Sequence, residues 1–363
     1  MLQVVLSLNP GGTERLVIEL ASRLHHEMPM MVCCLDTAGT WARDLEEQGI
    51  EVHALGRPPG FRPAVGRGIA RLTAAHQADV IHAHHYSPFV YSCLSRFWRR
   101  RPQVVFTEHG RLSDGGPSSK RRLANHVLAR VPRRVFTVSQ DLRRHLVAEG
   151  FPPERVDVIY NGIALETPPD RPARARVRAA LHVADDVLLI GTIARLDPVK
   201  NLETLVRAVA RLSPHCAVAL VIVGDGPERP RLEELARDLA IASSVIFVGE
   251  QASARRWLAG CDVYVNCSTS EGVSLTILEA IAAALPVVAT HVDGTPEVLD
   301  ESCGQLIPAR SVDALVAALA AWREPSARCR IGRAARCRVE RSFTLDRMVG
   351  QYRDVYATVA EVQ

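Results

Sequence analysis

Lysine is nearly absent from this chain. Of 44 basic residues only Lys120 and Lys200 are lysine, and the rest are arginine. The bias reflects the coding genome, and it makes a lysine at position 200 informative. No run of about 20 apolar residues occurs, which excludes a helical membrane span. The nine cysteines form no C-x-x-C pair. Most sit in apolar runs such as MVCCLD and CDVYVNCS, which excludes metal-ligand spacing and predicts buried, reduced thiols in the cytosol. The opening MLQVVLSLNPGG has no basic n-region and turns at Pro10, so it reads as a first strand and not as a signal peptide. No G-x-G-x-x-G follows it, which removes the dinucleotide fingerprint. No D-x-D is placed to hold a metal, and no internal repeat or recognised nucleic-acid motif occurs.

What is present centres on residues 267–290, CSTSEGVSLTILEAIAAALPVVAT. CDVYVNCS before it and PVVAT within it read as buried strands. Ser270-Glu271-Gly272 forms a turn, and a helix starts near Ser274, a residue type that caps helices through its side-chain oxygen. Gly272 lets backbone approach a ligand, and the free N–H groups of Val273, Ser274 and Leu275 favour an anion such as a diphosphate. Glu271 and Glu279 are separated by seven residues. Glu279 falls inside the apolar run LTILEAIAAAL, where a carboxylate is costly unless it meets donors such as vicinal sugar hydroxyls.

The rest alternates strands with amphipathic helices. LQVVLSLNPGGTERLVIELASRL is strand, glycine turn and helix, with Gly11 and Gly12 at a phosphate-binding position and apolar residues at helical spacing. ADVIHAHHYSP ends a strand on His82, His84 and His85. Two of these share a strand face, but no carboxylate or cysteine stands nearby in sequence, so they are expected to line a cleft or satisfy backbone groups. QVVFTEHGRL places His109 just past a strand end. VLLIGTIARLDPVKN puts Arg195 and Lys200 in the loop after another strand, where an anion would sit. AVALVIVGDGPERP brings Gly224 to a similar turn, and SSVIFVGEQAS leads to Gln251.

Charge is uneven. Residues 96–144 carry 13 basic and three acidic side chains, while the whole chain has net charge +4. SRFWRRRP interleaves aromatics with arginine, which suits either an anionic bilayer surface or an ordinary solvated basic face. The chain length suggests two domains. ALETPPDRPARAR, rich in proline and charge, reads as the linker between them.

The segment from Ser268 to Val288 resembles the E-x7-E region of retaining GT-B glycosyltransferases of the family 4 type, and the likeness runs over nearly the whole length. Relatives often carry an aromatic residue and a second glycine where this chain has Val273 and Ser274. The resemblance implies an α/β fold of the GT-B kind, with two doubly wound Rossmann-like domains facing a cleft. It implies an acceptor-side domain over 1–165, a nucleotide-sugar domain over 166–342, and a helix over 343–363 that crosses back onto the first. R-L-x-x-x-K-N at Arg195 and Lys200 matches the family's diphosphate clamp, His109 the histidine near the donor sugar, and Gly11-Gly12 the N-terminal glycine loop. Gly249-Glu250-Gln251 corresponds to the loop beside the base.

The expected activity is retaining transfer from a nucleotide-diphosphate sugar to a glycan or lipid-linked acceptor, as in cell-surface polysaccharide or glycolipid synthesis. Glu271, Arg195, Lys200 and His109 are expected to act at the reaction centre. Glu279, Gly272, Val273, Ser274, Leu275, Gly11, Gly12, Gln251 and Gly224 are expected to bind the donor. No cofactor, no metal and no nucleic-acid partner is expected. The expected location is the cytoplasm, with peripheral attachment to the inner face of the membrane. A nucleotide-sugar 2-epimerase on the same architecture and a non-catalytic sugar-nucleotide-binding scaffold are the alternatives.

Overall fold

The computed structural model describes residues 1–111 and 118–361. Asp114, counted above in the basic segment, lies outside the described residues, as do the last two residues of the expected 343–363 helix. The chain divides into one unit of residues 1–161 with 346–363 and a second of residues 162–345. The divide thus falls after Asn161 rather than after residue 165. Local pairing explains the shift. Ile163 bridges to Thr344, its amide donates to the Phe343 carbonyl at 3.0 Å, and the Leu345 amide donates to the Ile163 carbonyl at 2.8 Å.

The first unit holds a parallel sheet of β1 (Leu2–Val5), β2 (Met31–Cys34), β3 (Glu51–Ala54), β4 (Val80–His84), β5 (Gln103–Glu108), β6 (Arg134–Thr137) and β7 (Val156–Val158). Its spatial order is β3-β2-β1-β4-β5-β6-β7. β1, β2 and β4 are buried along their whole length, as strands covered by helices on both faces must be, which is why they read as unbroken apolar runs. Leu2, Val4, Cys33, Ile69 and Ile81 form one core, and Phe89, Phe106 and Phe151 another, with Phe89 stacked on Phe106 at 4.3 Å. The final helix, Leu345–Glu361, buries Tyr352, Tyr356 and Val359 in the same unit from Asp346 onward.

The second unit repeats the plan with β8 (Leu188–Ile193), β9 (Val218–Val223), β10 (Val245–Gly249), β11 (Val263–Asn266), β12 (Val287–Thr290) and β13 (Gly304–Ile307), in the order β10-β9-β8-β11-β12-β13. Helix Leu202–Leu212 turns Leu205, Val206, Val209 and Leu212 into the core with Ile190, Leu220 and Val265. Both sheets are doubly wound. The order reverses between β1 and β4 in the first unit and between β8 and β11 in the second. Ligands of such sheets sit outside the strands' carboxyl ends at these switch points.

All nine cysteines are free; seven are buried or half-buried, while Cys329 and Cys337 on helix Pro325–Ser342 are exposed. Among the described residues no helix is long and apolar enough to cross a membrane.

Candidate active site: two switch points

In the second unit, Lys200 follows β8 and Glu271 follows β11, so the reversal of strand order brings them together. Lys200 Nζ donates to Glu271 Oε2 at 2.6 Å, and Ser268 Oγ donates to the same oxygen at 2.9 Å. The loops that carry them are stitched by the Thr269 amide, which donates to the Val199 carbonyl at 2.8 Å. Asp293 clasps the turn from the other side. Its Oδ2 accepts from Ser270 Oγ at 2.6 Å and from the Glu271 amide at 2.9 Å. Sequence reading found Lys200 and Glu271 but neither their contact nor Asp293, which lies 22 residues beyond Glu271. The αL backbone of Asp293, φ 42°, was the available signal only once the fold was known.

Helix Leu275–Ala282 begins at Ser274 as expected, but not by the expected cap. Ser274 Oγ makes no bond to the helix amides and instead meets Thr276 Oγ1 at 3.1 Å. Thr276 is in turn held by Tyr264 Oη at 2.7 Å. The serine hydroxyl is thus drawn into a chain of hydroxyls. The Ser274 hydroxyl leaves the helix start without its own cap, and the positive end of the helix favours an anion.

Glu279 sits on the buried side of this helix at 8% exposure, so it is not a solvent-face acid. Arg255 Nε stands 3.7 Å from its Oε1, and Arg255 also donates to Glu166 and to the Ala164 carbonyl. Arg195 is separate from the Lys200–Glu271 pair. Its side chain is 74% exposed and bonds Asp197. Gln251 donates to the Val248 carbonyl at 3.2 Å and accepts from Arg256 at 2.8 Å. Gly224 has a structural reason to be glycine: at φ +129° a Cβ there would stand 2.0 Å from the Ala194 carbonyl oxygen.

In the first unit, the glycine turn and the histidines meet at the other switch point. Helix Gly12–Leu24 follows β1, and Thr13 Oγ1 lies 2.8 Å from His85 Nε2 just past β4. The expectation that the histidines lack a carboxylate is corrected here, because Glu108 at the end of β5 accepts from His85 Nδ1 at 2.9 Å. Parallel pairing of β4 with β5 places the two ends side by side, which their separation of 23 residues hid. Burial works against charge on His85, but the Glu108 carboxylate outweighs it and raises the pKa above the ordinary value. Glu108 Oε2 is buried without a hydrogen bond.

His82, His84 and His109 are driven the other way. Burial, then the neighbouring imidazoles, hold all three pKa values well below the ordinary one, so each ring carries a single N–H. The Gln3 amide nitrogen donates to Tyr356 Oη at 3.2 Å, and its Oε1 accepts from His84 Nε2 at 2.7 Å. The bare His84 Nδ1 then accepts from His109 Nε2, 2.9 Å away. His109 Nδ1 is left without a proton, buried and without a partner. Both ring nitrogens of His109 therefore face into the protein, and in this arrangement the ring neither takes nor gives a proton at the surface. His82 completes the web through Tyr356 Oη at 2.6 Å and Thr107 Oγ1 at 2.8 Å.

The same unit holds a pocket of about 530 Å³ at the carboxyl ends of β2, β3 and β4. Phe61 stacks on Tyr91 at 5.7 Å along its wall. Arg57 forks Asp36 beside them, with bonds of 2.7 and 3.1 Å.

Two doubly wound α/β units, each with polar side chains gathered at its switch point, define a two-domain ligand-binding enzyme fold. The chain belongs to the group 1, family 4 glycosyltransferases of the GT-B fold. The family described as Glycosyltransferase Family 4 matches residues 10–167, and that described as Glycosyl transferases group 1 matches residues 186–324. A D-inositol 3-phosphate glycosyltransferase of Frankia alni is 32% identical over 76% of this chain and 75% of its own length. A lipopolysaccharide core biosynthesis glycosyltransferase of Rhizobium meliloti is 29% identical over 69% of this chain and 73% of its own length. Among solved structures, Anabaena HepE in complex with UDP and glucose superposes with TM-score 0.88 at 24% identity, covering 98% of this chain and 99% of HepE. These relatives are transferases, and the isomerase alternative gains no support from them.

Proposed function

We propose that this glycosyltransferase takes its sugar from a nucleoside-diphosphate donor and transfers it with retention to a glycan or lipid-linked acceptor. The observation that carries the reading is the Lys200–Glu271 contact beside a helix start with no side-chain cap. The lysine and the helix dipole would stabilise the departing diphosphate, and Glu271 would meet the sugar once the diphosphate draws Lys200 from it. Glu279, buried near Arg255, suits the ribose hydroxyls. Exposed Arg195 is free to swing from Asp197 to a phosphate. UDP and glucose in HepE support a donor of this class.

Retention is read as attack from the face that the diphosphate leaves. Once Lys200 has turned to the diphosphate, Glu271 Oε2 still accepts from Ser268 Oγ at 2.9 Å, which ties that oxygen to its own loop and not toward the anomeric carbon. The leaving diphosphate would accept the acceptor's proton. His109, with both nitrogens turned inward, suits the shaping of the sugar site and not general base work. The Phe61–Tyr91 pocket suits a sugar ring of the acceptor, its apolar face on the aromatics and its hydroxyls on the Arg57–Asp36 fork.

Attachment to an anionic membrane surface is part of the reading. Phe97 and Trp98 are exposed beside Arg99, Arg100 and Arg101, and Leu123 and Val127 are exposed one helical turn apart. Such apolar side chains among cations suit insertion at a charged interface.

The test is product analysis with UDP-, GDP- and ADP-sugars. Transfer that keeps the donor's anomeric configuration, with no glycosyl adduct on the protein, is the expected result. It should persist in EDTA, because side chains and the helix start neutralise the diphosphate. Inversion, or an adduct on Glu271, would overturn the same-face reading.

A further inference from the structure

Far from the switch point, on the first unit, three ligand-bearing side chains converge. Glu51 and His53 stand two apart on β3 and so share one face of that strand. His76 closes helix Pro63–Ala75. Glu51 Oε2 lies 3.1 Å from His53 Nε2 and 3.7 Å from His76 Nε2. All three ligand atoms lie within 4.8 Å of one another, and the two rings are tilted at 53° with centroids 5.4 Å apart. Around a tetrahedral zinc ion with bonds near 2.0–2.2 Å, neighbouring ligand atoms stand about 3.3–3.5 Å apart. The two spacings from Glu51 fall on either side of that value, and the two imidazole nitrogens lie within 4.8 Å of each other, so rotamer changes would close the set. The histidine side chains are 32% and 27% exposed, and the glutamate is 58% exposed.

We propose that Glu51, His53 and His76 form a site for a divalent cation of the zinc type, with water as the fourth ligand. Two imidazoles and one carboxylate suit zinc, and no thiolate takes part. Each imidazole would present its Nε2 lone pair and carry its proton on Nδ1, so metal bonds replace the hydrogen bond from His53 and the looser contact of His76 with Glu51.

The position gives the site its role. β3 is the edge strand of the sheet, and among the described residues its outer backbone groups have no strand partner. The ion would tie that edge to the end of a helix that follows it in sequence. Glu51 begins β3 and His76 precedes β4, so the site lies toward the amino ends of the strands. His85, Glu108 and the Phe61–Tyr91 pocket lie at the carboxyl ends. The ion is therefore outside the transfer chemistry, and its test does not depend on the donor or the acceptor.

The experiment uses the untagged full chain, stripped with a chelator and then titrated with Zn²⁺. One equivalent should bind and raise the thermal unfolding midpoint, because an ion that binds only the native state stabilises it. His53→Ala and His76→Ala should each weaken binding by more than the roughly 10–100-fold that loss of an outer-shell partner costs. Glu51→Gln, which keeps the side chain's shape, serves the same comparison if an alanine variant fails to fold. Co²⁺ in place of zinc should give d–d absorption without a thiolate charge-transfer band. No shift in the midpoint at a hundredfold excess of Zn²⁺ overturns the proposal. So does unchanged affinity in the variants, or a thiolate band, which would put the ion on cysteines.

Discussion

The two units share one topology but join the two sides of their switch points by different chemistry. In the first unit the junction is made by imidazoles, most of them neutral and sunk in the sheet, with Gln3, Thr107 and two tyrosines of the last helix filling the web. In the second it is a partly buried ion pair, Lys200 to Glu271, beside a helix start, with side chains 24% and 13% exposed. A buried neutral web cannot rearrange for a charged ligand without losing hydrogen bonds in a low dielectric, where they are costly to lose. A partly buried ion pair can open only where a competing charge replaces a partner, as a diphosphate would replace Glu271 at Lys200. On the proposed reading, the first unit would hold a shape, and the second would exchange Glu271 for the donor's diphosphate at Lys200.

Breaking the ion pair should have the largest effect. Lys200→Ala should lower turnover by roughly 10²-fold or more, as removal of one stabilising donor at a developing charge does. Steady-state kinetics on folded variant protein checks this, and near-normal turnover would end the comparison. Arg195→Ala should also lower turnover, but less than Lys200→Ala, since its exposed side chain is shared with Asp197. Equal losses would mean that the two cations act as one clamp.

Glu279→Gln should weaken binding of free nucleoside diphosphate while sparing the rate at saturating donor. Calorimetry separates the two, and unchanged affinity would remove Glu279 from the ribose.

The neutral web is tested by pH. His82, His84 and His109 have pKa values lowered in the folded state, so the unfolded chain binds more protons as pH falls below about 6.5. Stability contributed by keeping them neutral is present above that pH and lost below it, with a slope of at most about 4 kcal/mol per pH unit for three groups. His85 works oppositely: its raised pKa adds stability below about 6.5 that fades as pH rises through the folded value. Urea midpoints between pH 7 and 5 should therefore fall, and the fall should shrink in His82→Gln. A flat profile would mean that the web is charged.

The strand and helix pattern was legible because buried parallel strands must be apolar along their length and their covering helices apolar on one side. Leu16, Val17, Leu20 and Leu24 show this directly: read as one helical stripe, they are all buried. Helix Gln140–Ala148 takes its serine cap as local chemistry dictates: Ser139 Oγ accepts from the Leu142 amide at 3.0 Å. Ser274 has the same residue type in the same role, yet its hydroxyl goes to Thr276, because Tyr264 from β11 organises that pair. A cap is a local signal only while no tertiary partner competes.

By itself the sequence determined the alternation of strands and helices, the two-part plan and the residues with chemistry to offer, Lys200, Glu271, Glu279 and the histidines among them. Hydrophobic periodicity and turn chemistry act over a few residues and can be read in one dimension. The tertiary structure decided which of those residues meet. Lys200 reaches Glu271 across 71 positions because β8 and β11 are neighbours, His85 finds Glu108 because β4 pairs with β5, and Gln3 finds Tyr356 because the last helix returns to the first sheet. Contacts of that kind follow from strand order, and strand order is settled by the packing of the whole sheet, which no short stretch of sequence contains.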